Sequence, residues 1–520
     1  MDKQLNLFFK KKILSSKTKT RGGKNLLIVN RNTMETTLRL AFLSSYLNKY
    51  KNFDIHLLSH KPISSLSFKI YKNLNLESLI YSFYKGLIFS ELKISIKSLL
   101  IFGFIFLKLI LKKDLKWFID NFTVSNIKVG DLIYDSYIRF GSAFKSPKFY
   151  DLKFIKLLYS TIFNTLFIQK ILKQKKIKVV LVASKGYASA TGICVRVATK
   201  LKIKTFLIGN NIVVNYKTYN KSFEYFRKIY PENVRLTLKN HTSNIDNFIN
   251  NRFKGRSIGQ FTKQHDLKQF SSTKYSKISK IDLINILRKK KEKTNFKIVL
   301  FCCNAFADAP HILGKRKLFR DYFDIFFQTI KFINSKKNEN YLWIFKPHPS
   351  SKIFKEEGIV ETIVNNTENS NIFMSPKNLS ISKLFELSDY LVTDVSTAGL
   401  EYACLGKKPI IASDCHYSGL SFTKEPKTKK KYFDLIDNFK FNNILNKKQT
   451  NAARAALFYL ENLQTKELDV NTIFFNNNNL RLSDKNYLSK FLSNFKKTEK
   501  SLIFQDLFLK KVIKYLSNKI

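Results

Sequence analysis

Short apolar runs alternate with amphipathic segments along two separate stretches of this chain. Such runs, bounded by turn residues, predict strands, and apolar positions recurring every three to four residues predict helices. In the first stretch the predicted strands cover residues 26–30, 54–59, 179–184 and 204–209. In the second stretch they cover residues 297–303, 341–347, 371–376, 390–395 and 408–413. Alternation at this spacing predicts α/β structure in both stretches and a parallel, doubly wound sheet in the second.

The length of 520 residues exceeds what one hydrophobic core serves, so the alternation predicts two domains. We expect a basic leader at 1–24 and an N-terminal α/β domain at 25–290, including a helical insertion and a polar interdomain crossing. A C-terminal α/β domain at 291–440 and a helical tail at 441–520 complete the prediction.

The stretch 390–423 contains a predicted strand, a small-residue turn, a helix and a second strand. Its turn holds Ser396, Thr397, Ala398 and Gly399, at the carboxyl end of the strand and the amino end of the helix. Free N–H groups and the positive end of the helix dipole meet at such a point and favour anions. The turn therefore predicts an anion site, with phosphate as its ligand.

Polar residues follow four predicted strands of the second domain, at 304–311, 346–350, 396–401 and 414–419. Parallel strands place these loops at one edge of the sheet, where open α/β sheets bind ligands. His348 lies between two prolines, which favours an aimed imidazole over a simple turn residue. Lys346 either neutralises the charge of a phosphate or is a solvated lysine. Glu401 either binds a ribose or is a surface residue.

Asp308 and His311 have two interpretations, as a helix cap with a first-turn residue or as an acid/base pair. No HExxH motif or carboxylate cluster accompanies them, so we expect no metal. Segments 130–139 and 184–187 line an acceptor site or are packing and turn residues. The sequence lacks a P-loop, an early GxGxxG and a GxSxG elbow, which argues against a P-loop ATPase, an ordinary dehydrogenase or an α/β-hydrolase.

The formal charge of +54 favours anionic partners, including an anionic membrane face. Abundant Lys, Asn, Ile and Phe are typical of an AT-rich genome, and no nucleic-acid motif is present, so we expect no nucleic-acid partner. Five cysteines without CxxC spacing predict buried free thiols in a reducing, cytoplasmic compartment. The apolar segment 99–111 contains a lysine and predicts a buried helix, with a membrane-surface helix as the alternative. The amino terminus does not resemble a signal peptide.

From 297 to 435, the sequence resembles bacterial surface and capsular polysaccharide biosynthesis proteins, which are similar to CDP-glycerol glycerophosphotransferases and GT-B glycosyltransferases. The residues that carry this resemblance are NAFADAPH, FKPHPS, SDYLVTDVSTAGLEYACLGKKPIIA and HYSGLSFTKEPKTKKKYFDLI, with GDLIYDSYIR in the first domain. The resemblance implies two Rossmann-like domains facing across a cleft, with a nucleotide-activated donor on the carboxy-terminal domain and the acceptor met by the amino-terminal one.

By resemblance, His348 contacts the donor phosphate, Ser396, Thr397 and Ala398 form the phosphate-binding turn, and Glu401 binds the ribose. Glycerophosphotransferases usually have aspartate, tyrosine and two serines where 394–397 reads DVST. This departure favours a sugar as the transferred group.

We therefore expect a metal-independent, cofactor-free transferase that moves a sugar from a nucleotide donor to a glycan or lipid-linked acceptor at the cytoplasmic membrane surface. Helix-end amides, His348 and Lys346 neutralise the leaving diphosphate, and Asp308 or His311 is the base. A teichoic-acid-type glycerophosphotransferase, a sugar-nucleotide 2-epimerase and a non-catalytic capsule assembly or export component remain as alternatives.

Overall fold

The computed structural model describes most of the chain between residues 24 and 463. The described ranges are 24–30, single positions between 40 and 48, 51–59, 92–112, 114–140, 150–182, 190–208, 213–216, 228–256, 277–289, 296–311, 317–336, 340–352 and 354–463. These residues divide into two compact units. The first unit comprises Met1–Tyr137 and Lys148–Ser222 with Thr465–Ile520, and the second comprises Ile138–Pro147 and Phe223–Gln464.

The first unit is built around a five-stranded sheet. In chain order its strands and a short hairpin are β1 Lys24–Asn30, β2 Phe53–Ser59, β3 Thr123–Val124, β4 Ile127–Lys128, β5 Ile177–Val182, β6 Lys204–Ile208 and β7 Val213–Tyr216. The sheet order is β2-β1-β5-β6-β7, and every pairing is parallel except that of β6 with β7. Four apolar side chains of β1 are fully buried, as a strand covered on both faces requires.

The helices of this part of the chain whose full bounds the structure describes are α1 Leu92–Lys112, α2 Leu115–Asn121, α3 Gly130–Phe140, α4 Leu152–Gln174 and α5 Ala190–Lys200. Helix α2 begins where the Asp114 side chain accepts a hydrogen bond from the Trp117 N–H, and α4 begins where Asp151 caps the Lys153 N–H. Helix α4 buries eleven of its 23 residues and packs against α1.

The second unit has a fully parallel five-stranded sheet. Its strands are β8 Lys297–Cys302, β9 Tyr341–Lys346, β10 Ile372–Met374, β11 Tyr390–Thr393 and β12 Ile410–Ile411. The order β10-β9-β8-β11-β12 puts the first strand in the middle, so the chain builds outward in one direction and then in the other. The change of direction between β8 and β11 is the point where such sheets bind ligands.

Helices α6 Pro231–Phe253, α7 Lys280–Arg288, α8 Tyr322–Asn334, α9 Ile359–Asn365, α10 Ile381–Leu387, α11 Thr397–Cys404, α12 Lys429–Asn438 and α13 Lys447–Phe458 belong to this unit, and a π-helical turn, Tyr459–Leu463, follows α13. Aromatic rings dominate the core on one side of the sheet; Phe301 and Phe345, for example, have ring centroids 5.2 Å apart. Asn446 caps α13 reciprocally with Gln449.

The nine strands expected from the hydrophobic pattern are all present, and the prediction of two Rossmann-like α/β units is confirmed. Strand β7 and the 23-residue helix α6 were not expected, because the segment around them is polar and reads as a crossing between domains. Helix α6, which precedes residue 291, lies in the second unit, and α13 packs against α6 and α11 of this unit. The leader and residues 464–520 of the expected tail lie outside the described residues.

The expectation that segment 99–111 is a buried helix is wrong. Helix α1 runs from Leu92 to Lys112 and exposes most of its large apolar side chains. It is the one helix of the described chain that is long and apolar enough to cross a membrane, and 22% of its most apolar window is buried. A buried core helix of a soluble protein does not leave such a surface uncovered.

Candidate functional site

The candidate site lies at the carboxyl edge of the second sheet, where three neighbouring strands end together. In the strand register Lys346 of β9 pairs with Cys302 of β8, and Cys302 pairs with Thr393 of β11. Two strand spacings separate Lys346 from Thr393, which is about 10 Å. Two hydrogen bonds hold these strand ends together. The Cys303 N–H donates to the Lys346 carbonyl at 2.9 Å, and the Thr393 hydroxyl donates to the Cys302 carbonyl at 2.8 Å.

Lys346 places an ammonium group at this edge without a carboxylate beside it. The side chain is half-buried, and within the described part of the chain it makes no ion pair and no side-chain hydrogen bond. Burial lowers the pKa of the Lys346 amine because the charged form loses water, while the nearby Cys302 opposes this shift. A desolvated cation without a counter-charge is suited to an anionic ligand.

His348 follows β9 in a turn held by two prolines. The Ser350 N–H donates to Nδ1 of His348 at 3.1 Å, so Nδ1 is an acceptor and the neutral ring carries its proton on Nε2. The Ser351 N–H donates to the His348 carbonyl at 3.0 Å, which closes the turn. The tautomer therefore makes Nε2 the hydrogen-bond donor of this imidazole.

Ser396 caps α11, as the sequence predicts for a hydroxyl at the start of a helix. Its Oγ accepts from the Ala398 N–H at 3.2 Å, and its carbonyl accepts from the Tyr417 hydroxyl at 2.6 Å. Tyr417 lies so close to the first turn that a Cβ on Gly399 would stand 2.4 Å from its hydroxyl oxygen. Glycine is thus required at 399 by the close approach of Tyr417.

The turn has one residue whose polar groups are unused. Neither the hydroxyl nor the N–H of Thr397 donates a hydrogen bond within the described chain, and its side chain is half-buried. The Ala398 N–H is already taken by Ser396. Of the three residues expected to form the phosphate-binding turn, Thr397 therefore has both its N–H and its hydroxyl to offer, whereas the Oγ of Ser396 and the N–H of Ala398 are bonded to each other.

Glu401 is not exposed at the sheet edge, where the expected ribose-binding role would require it. Its side chain is 2% exposed and forms an ion pair with the guanidinium of Arg252, which comes from α6. Arg252 also approaches Glu461, with 3.8 Å between Nη1 and Oε1. Burial works against the charge of Arg252, but the two glutamates outweigh it and raise the pKa of the guanidinium. This buried charge cluster ties α6, α11 and the π-helical turn together.

The two candidate bases differ in how they are placed. His311 is buried, and its Nε2 lies 2.8 Å from the Arg320 carbonyl, to which it donates. That hydrogen bond fixes the proton on Nε2 and leaves the lone pair on Nδ1. The burial of the ring, which is 8% exposed, disfavours contact with an acceptor hydroxyl. Asp308 is half-exposed, and its carboxylate makes no hydrogen bond or ion pair with the described residues.

Glu356 supports the loop that carries Asp308, and the sequence analysis did not single it out. Its carboxylate accepts hydrogen bonds from the N–H groups of Phe306 at 2.9 Å and Ala307 at 2.6 Å. Burial raises the pKa of Glu356 to about 7; the two N–H groups oppose the shift and the charge of Asp308 adds to it. No local motif identifies such a residue, because its partners lie about fifty positions away in the sequence.

Asp394 is the second residue that the sequence analysis left without a role. It follows β11 directly, is buried, and pairs with Lys317 at 2.8 Å between Nζ and Oδ2. Its other oxygen has no hydrogen-bond partner among the described residues. Since Lys317 balances the charge of Asp394, Lys346 remains the uncompensated cation of this edge.

The remaining predicted positions are structural or fall outside the described chain. In segment 130–139, Asp131 forms a buried two-point ion pair with Arg196, with N–O distances of 2.6 and 2.8 Å. This is the packing alternative of the two that the sequence left open. Segment 184–187 lies outside the described residues. All five cysteines are buried free thiols, as expected.

The described residues contain no group of three or more His, Cys, Asp or Glu side chains that is arranged to hold a metal ion. The charges gathered at the sheet edge come from single residues of different strands. What this edge supplies chemically is a cation, an imidazole donor and a hydroxyl on a helix terminus, which together suit the oxygens of a phosphate or diphosphate.

Residues 314–474 match the family model described as CDP-glycerol:poly(glycerophosphate) glycerophosphotransferase. The match spans less than a third of the chain and includes Lys346, His348 and the turn at the start of α11. No curated protein sequence matches the chain.

Solved structures with some similarity in fold to this chain include several enzymes that act on carbohydrates. KpsC, beta Kdo 2,4 transferase, from Thermosulfurimonas dismutans is 11% identical, covers 54% of this chain and 79% of its own, and has a TM-score of 0.32. A glycosyltransferase from Rickettsia africae ESF-5 is 10% identical, covers 92% and 100%, and has a TM-score of 0.26. The UDP-GlcNAc 2-epimerase from Neisseria meningitidis bound to UDP-GlcNAc is 12% identical, covers 84% and 99%, and has a TM-score of 0.24.

At these TM-scores the similarity to solved structures carries no argument about chemistry, and the family match is the stronger finding. That match falls on the unit whose sheet edge holds the anion-binding groups. It agrees with the resemblance seen in the sequence to the extent that residues 314–474 are similar to the CDP-glycerol glycerophosphotransferases, and the two Rossmann-like α/β units are the fold that this resemblance implied.

Proposed function

We propose that the protein transfers a sugar from a nucleotide-activated donor to a glycan or lipid-linked acceptor of a surface polysaccharide. The observation that carries this proposal is Lys346, a half-buried cation without a carboxylate partner among the described residues. It lies within the family match at the carboxyl end of β9, the strand that neighbours β8 beside the switch point. A buried charge of this kind is costly unless a ligand supplies its partner. The donor diphosphate is the anion that we assign to it.

In the proposed site, protein groups neutralise the donor diphosphate. The ammonium of Lys346, the Nε2–H of His348, and the N–H and hydroxyl of Thr397 donate to its oxygens. These interactions strengthen as the bond from the sugar to the diphosphate breaks and negative charge grows on the leaving group. We propose no metal ion and no cofactor for this step.

We propose Asp308 as the base that accepts the proton of the attacking acceptor hydroxyl. Its carboxylate is half-exposed and not engaged by the described residues, whereas the ring of His311 is bound to a carbonyl. Glu356 holds the loop through two backbone N–H groups and so positions Asp308. In this assignment Glu356 is a positioning residue.

A sugar is favoured over glycerol phosphate because the sequence after β11 reads DVST, which departs from the glycerophosphotransferase pattern. Val395 is buried at 3% exposure, so the position that is usually tyrosine offers no phenol to a ligand here. The buried free thiols support a reducing, cytoplasmic location for the enzyme, which we also propose.

The test measures donor binding by calorimetry with UDP-, GDP- and CDP-sugars and with CDP-glycerol, on the full chain and on Lys346→Met. We expect one nucleotide sugar to bind, and Lys346→Met to weaken it by about 10- to 100-fold, which corresponds to losing a charged hydrogen bond of about 1.5 to 3 kcal/mol. Lys331→Met is the matched control, because Lys331 is an exposed lysine of α8 that makes no ion pair with the described residues.

Each alternative gives a different result in this assay. Selective binding of CDP-glycerol would support the glycerophosphotransferase. An isomerised sugar after incubation with the donor alone would support the 2-epimerase, and oligosaccharide binding without any nucleotide binding would support a non-catalytic assembly or export component. Equal donor affinity in Lys346→Met and the wild type would show that the site is placed wrongly.

A further inference from the structure

Helix α1 presents an apolar surface that the first unit leaves uncovered. Its exposed large apolar side chains are Leu92, Ile96, Leu99, Leu100, Phe104, Leu107, Ile110 and Leu111, with exposed fractions between 43% and 73%. At 3.6 residues per turn these eight positions fall within one sector of about 140° around the helix axis. They therefore form one continuous stripe, which is the kind of surface that marks an interaction site.

The opposite side of α1 is attached to the protein. Ser95, Ser98, Ile105 and Leu109 are buried, and they fall within a separate sector of about 80°. The Phe102 ring meets Tyr159 of α4 edge-on, with 5.8 Å between the ring centroids. Because α1 turns two serines inward and five of its six leucines outward, its exposed stripe is not a misplaced part of the core.

Four lysines border the apolar stripe on one side. Lys97, Lys108 and Lys112 lie in the sector between the exposed stripe and the buried face, Lys93 lies within the adjoining edge of the stripe, and the helix contains no Asp or Glu. Lys108 has its ammonium 3.7 Å from the centre of the Trp117 ring, on the adjoining helix α2. Lysine and tryptophan beside an apolar stripe are the groups that lie at the headgroup level of a bilayer.

We propose that α1 is a membrane-docking helix that lies in the interface of an anionic bilayer, with its leucines and Phe104 among the acyl chains and its lysines at the lipid phosphates. The lysines beside the apolar stripe favour an anionic bilayer as the partner, because α1 contains no acidic residue and its positive charge is complementary to anionic headgroups. The serine face packed on α4 favours a helix lying in the interface over one that spans it. Docking is independent of which donor the second unit binds.

The test is sedimentation of the full chain with vesicles of phosphatidylcholine alone or of phosphatidylglycerol and phosphatidylcholine. We expect binding to the anionic vesicles that weakens with added salt. The variant Leu100→Glu/Phe104→Glu should lower binding by at least tenfold. The matched control is Ile281→Glu/Ile444→Glu, which adds the same charge at two exposed isoleucines of the second unit and should bind as the wild type does.

The lysines are tested separately from the apolar stripe. Lys93→Gln/Lys97→Gln should weaken binding to anionic vesicles about fivefold for each lysine removed and leave binding to phosphatidylcholine unchanged. Lys447→Gln/Lys448→Gln, at exposed positions of α13, is the control and should change binding much less. Equal losses in the two pairs would mean that net charge alone drives binding, which overturns the assignment to α1.

Fluorescence locates the contact on the protein. The chain has two tryptophans, and Trp343 is buried in the second unit, so Trp343→Phe leaves Trp117 beside α1 as the reporter. We expect its emission to shift to the blue with anionic vesicles and to be quenched by brominated acyl chains. Vesicle binding without a change at Trp117 would overturn the proposal.

Two other arrangements are separated by the same preparations. If the wild type is a dimer by light scattering, Leu100→Glu/Phe104→Glu is a monomer and no vesicle binds, the stripe is an interface between two copies and the proposal fails. If protein in cell membranes resists extraction with alkaline carbonate, α1 spans the bilayer and the interfacial arrangement fails. Release by carbonate, together with vesicle binding, supports it.

Discussion

Two groups of buried charges in the second unit have opposite arrangements. Around Glu401, the guanidinium of Arg252 is enclosed by two glutamates, and every charge has its counter-charge nearby. At the sheet edge, Lys346 is half-buried with no carboxylate beside it, and Asp308 is half-exposed with no cation bound to it within the described chain. The first group is complete without a ligand, and the second is not.

The difference separates two kinds of polar residue that look alike in a sequence. A paired buried charge contributes to the assembly of helices, since removing one partner leaves the other desolvated and unpaired. An unpaired charge at a strand end costs stability in the free protein and gains a partner when a ligand binds. We use the first kind to predict effects on folding and the second to predict effects on activity.

Arg252→Met should have the largest effect on stability. It leaves Glu401 and Glu461 buried without a cation, so we expect the free energy of unfolding of the second unit to fall by about 3 to 5 kcal/mol. Urea denaturation followed by Trp343 fluorescence measures this fall. The triple variant Arg252→Met/Glu401→Gln/Glu461→Gln should recover part of the loss, because no charge is then left unpaired. Loss of donor binding at unchanged stability would instead place Arg252 in the donor site.

Asp308→Asn should affect turnover and leave the fold intact. The amide has nearly the same shape but does not accept a proton, so kcat should fall by about 100-fold or more, while the affinity for the donor stays within about twofold. Steady-state turnover of the preferred nucleotide sugar and calorimetry of the same preparation measure the two quantities. His311→Asn is the comparison variant, and a larger loss of kcat there would transfer the role of base to His311.

Glu356 predicts a dependence of stability on pH. Its folded pKa of about 7 lies above the ordinary value of 4.5, so the folded state holds this proton more tightly than the unfolded state does. The contribution is fully present below pH 4.5 and is lost as pH rises through 7. Between pH 5 and 8 the wild type should therefore lose about 2 to 3 kcal/mol relative to Glu356→Gln, in which this position does not titrate. Parallel curves of unfolding free energy against pH for both proteins would contradict this assignment.

Thr397→Val should give the smallest effect. It removes a hydroxyl that has no partner among the described residues, so stability should change by less than about 0.5 kcal/mol. Donor affinity should fall about tenfold, the lower end of the range for the loss of one hydrogen bond to a charged oxygen. Ser396→Ala reverses the pattern, because it removes the helix cap and costs about 1 kcal/mol of stability. If both variants lowered donor affinity equally, the distinction between Thr397 as a donor-binding residue and Ser396 as a helix cap would be wrong.

Much of the second unit could be predicted from the sequence because its strands are continuous apolar runs. Runs such as 297–303 and 341–347 have one plausible local structure, and the loops that follow them reach one edge once the sheet is parallel. Helix α6 could not be predicted in this way, because its buried residues are few and polar residues dominate its length. Its place depends on Arg252, whose partners lie on α11 and in the π-helical turn.

The site residues show the same limit one by one. His348 and Thr397 lie close to strand ends in the sequence, so the pattern of neighbouring residues was enough to identify them. Glu401 lies on the same helix as Thr397, yet it faces Arg252, which is 149 positions earlier in the chain. Glu356 was missed because a glutamate in a polar loop carries no local signal that it accepts backbone N–H groups near Asp308.

The sequence by itself determined the two α/β units, the parallel sheet, the small-residue turn at the start of α11 and the resemblance to surface-polysaccharide enzymes. These features follow from the spacing of apolar positions and from residues close together in the chain. Only the tertiary structure decided that Glu401 is paired, that Lys346 has no ion-pair partner among the described residues, and that the apolar stripe of α1 is exposed. The physical reason is that burial and charge pairing depend on which distant segments come into contact, and no local pattern contains that information.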